Sequence, residues 1–263
     1  MKYALALLFA CLLTTAARSE VKTKTVQYQD GDVALEGFVA WNSENADQPK
    51  PGVLVVHQWL GVTDYEKSRC QQLAELGYVA FALDVYGKDT RPANVQEAGK
   101  QAGTYKKDRE LFRRRLNLGL DQLRQQPGVS TKQLAAIGYC FGGTGALELA
   151  RSGADISGVV SFHGGLDAPE PADDKNIKAR VLICHGNDDP FVPATDIEAM
   201  KTSFTKAGVD WQMIYYSGAV HSFTQKMAGN DNSKGAAYNA RADHRSWTAM
   251  QAFFDELFAQ SAK

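Results

Sequence analysis

Cysteine, proline and net charge are all scarce in this chain. Its 263 residues hold four cysteines, eight prolines and a formal charge of −1. No CxxC pair occurs, so thiol–disulfide exchange has weak support. The balanced charge gives no reason to expect nucleic acid or an anionic membrane as a partner. No internal repeat and no Pro/Gly/Ser-rich linker divides the chain, which is long enough for one domain with a proper core. The histidines lack HxxxH or His–carboxylate spacing. His57, His163 and His185 each follow a different apolar run, so neither a metal nor another cofactor is implied.

The one long apolar run is at the N-terminus. In MKYALALLFACLLTTAARSE a single Lys precedes apolar sequence from Tyr3 to Ala17, then small residues. The run is shorter than the ~20 residues a membrane span needs. Ala17 and Ser19 suit the small positions before a cleavage point. Residues 1–19 therefore read as a secretory signal peptide, leaving 20–263 as one domain, exported to a periplasm and free of the membrane after cleavage. Cleavage removes Cys11 and leaves Cys70, Cys140 and Cys184. An odd count means at least one thiol is unpaired in an oxidising compartment. Cys70, on a helical stretch, and Cys184, in a strand, read as small buried hydrophobes; whether they pair is left open.

Beyond the leader, VQYQD and VALEGFVAW read as two strands joined by a tight Asp30-Gly31 turn. Six short apolar runs follow: 53–56, 79–83, 134–137, 158–162, 181–184 and 213–216. Their lack of alternation suits strands buried on both faces of a parallel sheet. Between them lie helix signals. Thr63 and Glu66 form a capping box before a helix that stops at Gly77. Phe112, Leu116, Leu120 and Leu123 form a stripe that ends at Pro127-Gly128, and Trp247, Met250, Phe254 and Leu257 mark a closing helix. The expected fold is an α/β sheet with helices on both faces. His57, Asp84, Cys140, His163, Asp189 and His221 each fall at the C-terminal end of a strand, the edge where such sheets bind ligands.

GYCFGG, residues 138–143, carries the chemistry. A strand that enters a helix through one residue leaves no room for side chains two positions before and after the apex, so both favour glycine. Gly138 and Gly142 frame Cys140 in a G-x-C-x-G pattern, a nucleophile elbow with Cys in place of Ser. The turn aims the Phe141 amide beside the sulfur, as an oxyanion donor, and the helix dipole favours the thiolate. Elbow hydrolases order their residues nucleophile, acid, histidine. Here HGNDDPFVP offers Asp188 or Asp189, and GAVHSF offers His221. Taken singly, either Asp could equally cap a helix or shape the Pro190 turn.

From about residue 23 onward the chain resembles the dienelactone hydrolases, a cysteine branch of the α/β-hydrolase fold. Six segments carry the resemblance in order: GVLVVHQWLGVTDY, ALDVYGK, GYCFGG, HGNDDPFVP, AVHSF and GAAYNARADHRSWTAMQAFF. It implies a mostly parallel sheet without a large cap domain, and hydrolysis of a small ester or lactone through a thioester. The family's D-x-F-V-P pattern selects Asp189 over Asp188. The resemblance implies Cys140 as nucleophile, His221 as base, Asp189 as its orienter, and the Trp59 amide as second oxyanion donor. Well-known members place a glutamate just before that donor; here it is Gln58, which cannot accept the thiol proton, so activation is expected to rest on His221 alone. Two family arginines hold a substrate carboxylate. Their positions fall on Lys88, which loses the bidentate fork, and on Gln225 beside Lys226. Gln58 and Lys88 are thus the expected substrate contacts, with recognition altered. Arg91, Arg113, Arg114 and Arg115 read as solvated charges. The competing reading is a non-catalytic exported binding protein that keeps the pocket. A monomer is favoured.

Overall fold

The computed structural model describes residues 20–43 and 48–260; the expected signal peptide lies outside them. The chain opens with two antiparallel strands, β1 (Val21–Asp30) and β2 (Val33–Asn42). Asp30 pairs with Val33, so the turn residues are Gly31-Asp32 rather than Asp30-Gly31. Gly31 supplies the positive φ, +57°, that such a hairpin needs.

Six parallel strands follow: β3 (Lys50–Val56), β4 (Val79–Leu83), β5 (Val129–Tyr139), β6 (Gly158–Phe162), β7 (Arg180–Gly186) and β8 (Trp211–Tyr216). Together the eight form one sheet in the order β1-β2-β4-β3-β5-β6-β7-β8. The helices are α1 (Asp64–Glu75), α2 (Val95–Lys107), α3 (Arg109–Arg124), α4 (Phe141–Arg151), α5 (Ala194–Ala207) and α6 (Ala240–Gln260).

The unbroken apolar runs have a simple cause. In β3, Leu54 and Val56 face the core under α3 and α4, while Val53 and Val55 face the one under α1 and α6. Both faces are covered, so both sets must be apolar. The strand β8 departs from this: most of its residues are half-buried or exposed, as the last strand of the sheet among the described residues.

Connectivity sets the functional edge. The chain steps from β3 outward to β4, then crosses back over β3 to β5 and continues through β6, β7 and β8. The order reverses between β3 and β5, and the crevice at their C-terminal ends is where ligands bind in such sheets. Those two ends carry His57-Gln58-Trp59 and Cys140.

One helix went unread and one expectation needs correction. The helix α2 was not legible from periodicity, since only Ala98 and Tyr105 of its residues are buried; its Asn94 cap, which accepts the Glu97 amide at 2.9 Å, was the available signal. Three of the four arginines are not solvated charges. Arg91 bridges the fully buried Asp84 (3.1 Å) and Glu36 (3.3 Å). Arg113 binds Glu148, also fully buried, at 2.8 Å, and Arg115, itself buried, binds Asp30 at 2.7 Å. Only Arg114 keeps most of its side chain in water.

Candidate active site

Cys140 stands alone between the end of β5 and the start of α4, with φ 55° and ψ −116°. A non-glycine residue there carries backbone strain, which the surrounding packing must hold in place. The glycines explain how. A Cβ on Gly138 would lie 1.8 Å from the Gly142 carbonyl oxygen, within the turn itself. A Cβ on Gly142 would instead meet the carbonyls of Val56 and His57, at 2.2 and 2.6 Å. Gly142 is therefore required by the close approach of β3, and not only by crowding across the apex.

His221 follows β8, in a segment tied down by backbone bonds to Gly235 and Ala237. Its Nε2 lies 3.0 Å from Cys140 Sγ and its Nδ1 2.8 Å from Asp189 Oδ2. Asp189 also accepts the Phe191 amide through Oδ1, at 2.9 Å. It thus shapes the Pro190 turn and faces the imidazole at once. Asp188 points elsewhere: its carboxylate takes the Asn187 side-chain amide.

Burial alone would raise the Cys140 thiol, but the His221 charge and hydrogen bond, the Phe141 amide and, more weakly, Lys106 together hold it below its ordinary value. For His221 burial acts downward; the Cys140 charge and the Asp189 bond outweigh it and push the ring up to about 10. Both directions favour a thiolate–imidazolium pair. Lys106, in the last turn of α2, is a contributor the sequence reading missed, because it missed the helix.

The loop after β3 is organised by Glu66, which closes the capping box on Thr63 and accepts the Gln58 amide at 3.1 Å. The next amide, that of Trp59, has no protein acceptor among the described residues. The Phe141 amide, at the first turn of α4, faces the sulfur. The family-derived cation positions are otherwise engaged. Lys88 is paired with Glu36 at 3.6 Å, and Gln225 caps a short 3-10 turn by accepting the Met227 amide.

His163, which follows β6, had no role assigned from sequence. Burial, then the His221 charge, hold its ring well below the usual histidine range. The neutral ring accepts the Cys140 backbone N–H at Nδ1 (3.1 Å) and so donates from Nε2 to Thr224 Oγ1 (2.8 Å). It supports the strained turn from below. Cys70 and Cys184 are both free and buried. Burial raises both thiols, that of Cys184 to about 12, despite the Tyr216 hydroxyl donating to it. Among the described residues no group of three His, Cys, Asp or Glu side chains could hold a metal ion.

The sequence profile of the Dienelactone hydrolase family matches residues 35–258. The chain belongs to that family. Among solved structures it is similar to m3DLH, with a TM-score of 0.86 and 39% identity over 90% of this chain and 98% of that one. It is also similar to a dienelactone hydrolase-like promiscuous phosphotriesterase, P91, from metagenomic libraries: TM-score 0.85, 40% identity, covering 90% and 98% of the two chains. Protein usf of Aquifex pyrophilus is 27% identical across 88% of this chain and 97% of its own. As in these family members, a mostly parallel sheet is flanked by helices, with no large cap domain among the described residues.

Proposed function

We propose that this dienelactone hydrolase family member cleaves small carboxylic esters or lactones through a Cys140–His221–Asp189 triad. The observation that carries the reading is Cys140 on a strained turn with its sulfur 3.0 Å from His221, whose other nitrogen meets Asp189 at 2.8 Å. The Cys140 thiolate attacks the carbonyl carbon, and the carbonyl π pair moves onto oxygen between the amides of Phe141 and Trp59. The imidazolium of His221 returns its proton to the departing alkoxide, which in a lactone stays tethered to the acyl group. A water deprotonated by His221 then hydrolyses the thioester and restores the thiol. Asp189 keeps the ring oriented throughout.

Recognition differs from that of carboxylate-gripping family members, because Lys88 is held by Glu36 and Gln225 caps a turn. An apolar side chain packs against the triad instead. The Phe191 ring, 59% exposed, packs edge-on against His221, and Trp59 is 36% exposed on the loop after β3. This supports an uncharged, partly apolar ester.

The test compares the protein with Cys140→Ala on small esters and lactones, with and without a carboxylate. A phosphotriester is included because the similar protein P91 is a promiscuous phosphotriesterase. Activity confined to the thiol-bearing protein, with neutral substrates preferred, is expected. Equal residual rates in both would leave a binding protein.

A further inference from the structure

Tyr86 lies just beyond β4, in the loop that the buried Asp84 carboxylate organises. Asp84 Oδ1 accepts the backbone amides of Tyr86 and Gly87, both at 3.0 Å, and Oδ2 binds Arg91. The Tyr86 carbonyl accepts from the hydroxyls of Tyr105 and Thr90. The position of Tyr86 is thus held through its backbone. Its ring is wedged against His57, with centroids 4.7 Å apart, and against Phe141 at 5.5 Å. These two residues adjoin the Gln58-Trp59 loop and the Phe141 amide. Tyr86 is 2% exposed, yet its hydroxyl has no hydrogen-bond partner among the described residues.

An unpartnered buried hydroxyl destabilises a fold, because its hydration is lost and nothing replaces it. Nothing in the packing around Tyr86 recovers that cost, since the backbone bonds and ring contacts do not need the oxygen. We propose that the Tyr86 hydroxyl is a third oxyanion donor, which finds its acceptor only when the carbonyl oxygen of a substrate becomes negative beside Cys140. The inference rests on the triad reading above.

Its side of the nucleophile fits the role. Tyr86 follows β4, on the far side of β3 from β7 and β8, whose ends carry Asp189 and His221. It cannot serve the leaving group, which His221 protonates from the opposite side. As the sulfur–carbon bond forms, the carbonyl π pair moves to oxygen and the phenol donates a hydrogen bond to it. The proton stays on Tyr86, because burial and then the Cys140 charge push this phenol far above its usual range. A donor already shut from water needs no reorganisation at that moment.

The experiment uses Tyr86→Phe beside the wild type and Cys140→Ala, with p-nitrophenyl acetate and dihydrocoumarin as substrates. Loss of one oxyanion donor is expected to lower kcat roughly a hundredfold, with KM little changed. Alkylation of Cys140 by iodoacetamide creates no oxyanion and is expected to keep its wild-type rate. The melting midpoint should hold or rise, because an unsatisfied polar atom has been removed. Wild-type kcat in Tyr86→Phe would overturn the proposal, and so would alkylation that slowed in step with hydrolysis. Those outcomes differ from failure of the triad reading, in which the wild type itself would hydrolyse neither substrate faster than Cys140→Ala.

Discussion

Gly142→Ala puts the whole account of the turn at risk with one methyl group. The added Cβ would sit 2.2 Å from the Val56 carbonyl oxygen and 2.6 Å from that of His57. Real Cβ atoms essentially never approach below 3.0 Å, so the end of β3 and the start of α4 must part by about 0.8 Å. Both obstacles are backbone, and no rotamer change relieves them. Overpacking of this kind costs about 1–3 kcal/mol, or a fall in melting midpoint of roughly 2–12 °C for a domain of this size. The functional loss should be larger in proportion. The parting moves the Gln58-Trp59 loop away from Phe141, and misplacement by about 1 Å costs on the order of a hundredfold in rate. Thermal melting and steady-state ester hydrolysis on the same preparation measure both. Gly99→Ala and Gly103→Ala in α2 are the controls: apart from chain neighbours and the helix's own nearby backbone, no described atom lies within 4 Å of either added methyl. Relief of helix-interior glycine is expected to stabilise by about 0.5–1 kcal/mol each with activity retained. A Gly142→Ala protein with wild-type midpoint and kcat would refute the claim that β3 and the elbow are held in contact.

Other consequences are equally open to measurement. Asp189→Asn leaves the Phe191 turn bond possible but removes the charge facing His221 Nδ1; kcat should fall roughly 10²–10⁴-fold, and an unchanged kcat would remove Asp189 from the triad. In Cys140→Ala the His221 ring loses the sulfur's charge and hydrogen bond, so its titration, followed by NMR, should move down from about 10. A ring that still titrated there would show that Cys140 does not set its protonation. The pH profile of Cys140 alkylation in the wild type should have its inflection below the ordinary 9.0, since the thiol is held down. Lys106→Met removes one favourable charge, so the inflection should move upward; no movement would mean that Lys106 is too well screened to matter.

The physical basis of the fold was largely local and therefore legible. Apolar runs without alternation marked the buried strands, because each must satisfy two covered faces. Thr63 with Glu66 marked the start of α1, and the capping box forms as read. Where local signals were weak the reading failed, as in α2, whose exposed surface demands no apolar stripe. The arginines failed for another reason: their acidic partners lie far away in sequence. Arg115 and Asp30, or Arg113 and Glu148, meet only after the sheet has closed.

The site divides along the same line. Composition and chain order by themselves determined an elbow with Cys140 at its apex and a histidine and acid downstream, because steric exclusion around a tight turn is written into neighbouring residues. The family resemblance had already selected Asp189 over Asp188; only the tertiary structure decided that Asp189 lies 2.8 Å from His221, that Gly142 answers to β3, and that His163 bonds the Cys140 amide from another strand. It alone left the Tyr86 hydroxyl without a hydrogen-bond partner among the described residues. Each of these is a distance between residues far apart in sequence, and the packing of both layers on the sheet sets such distances.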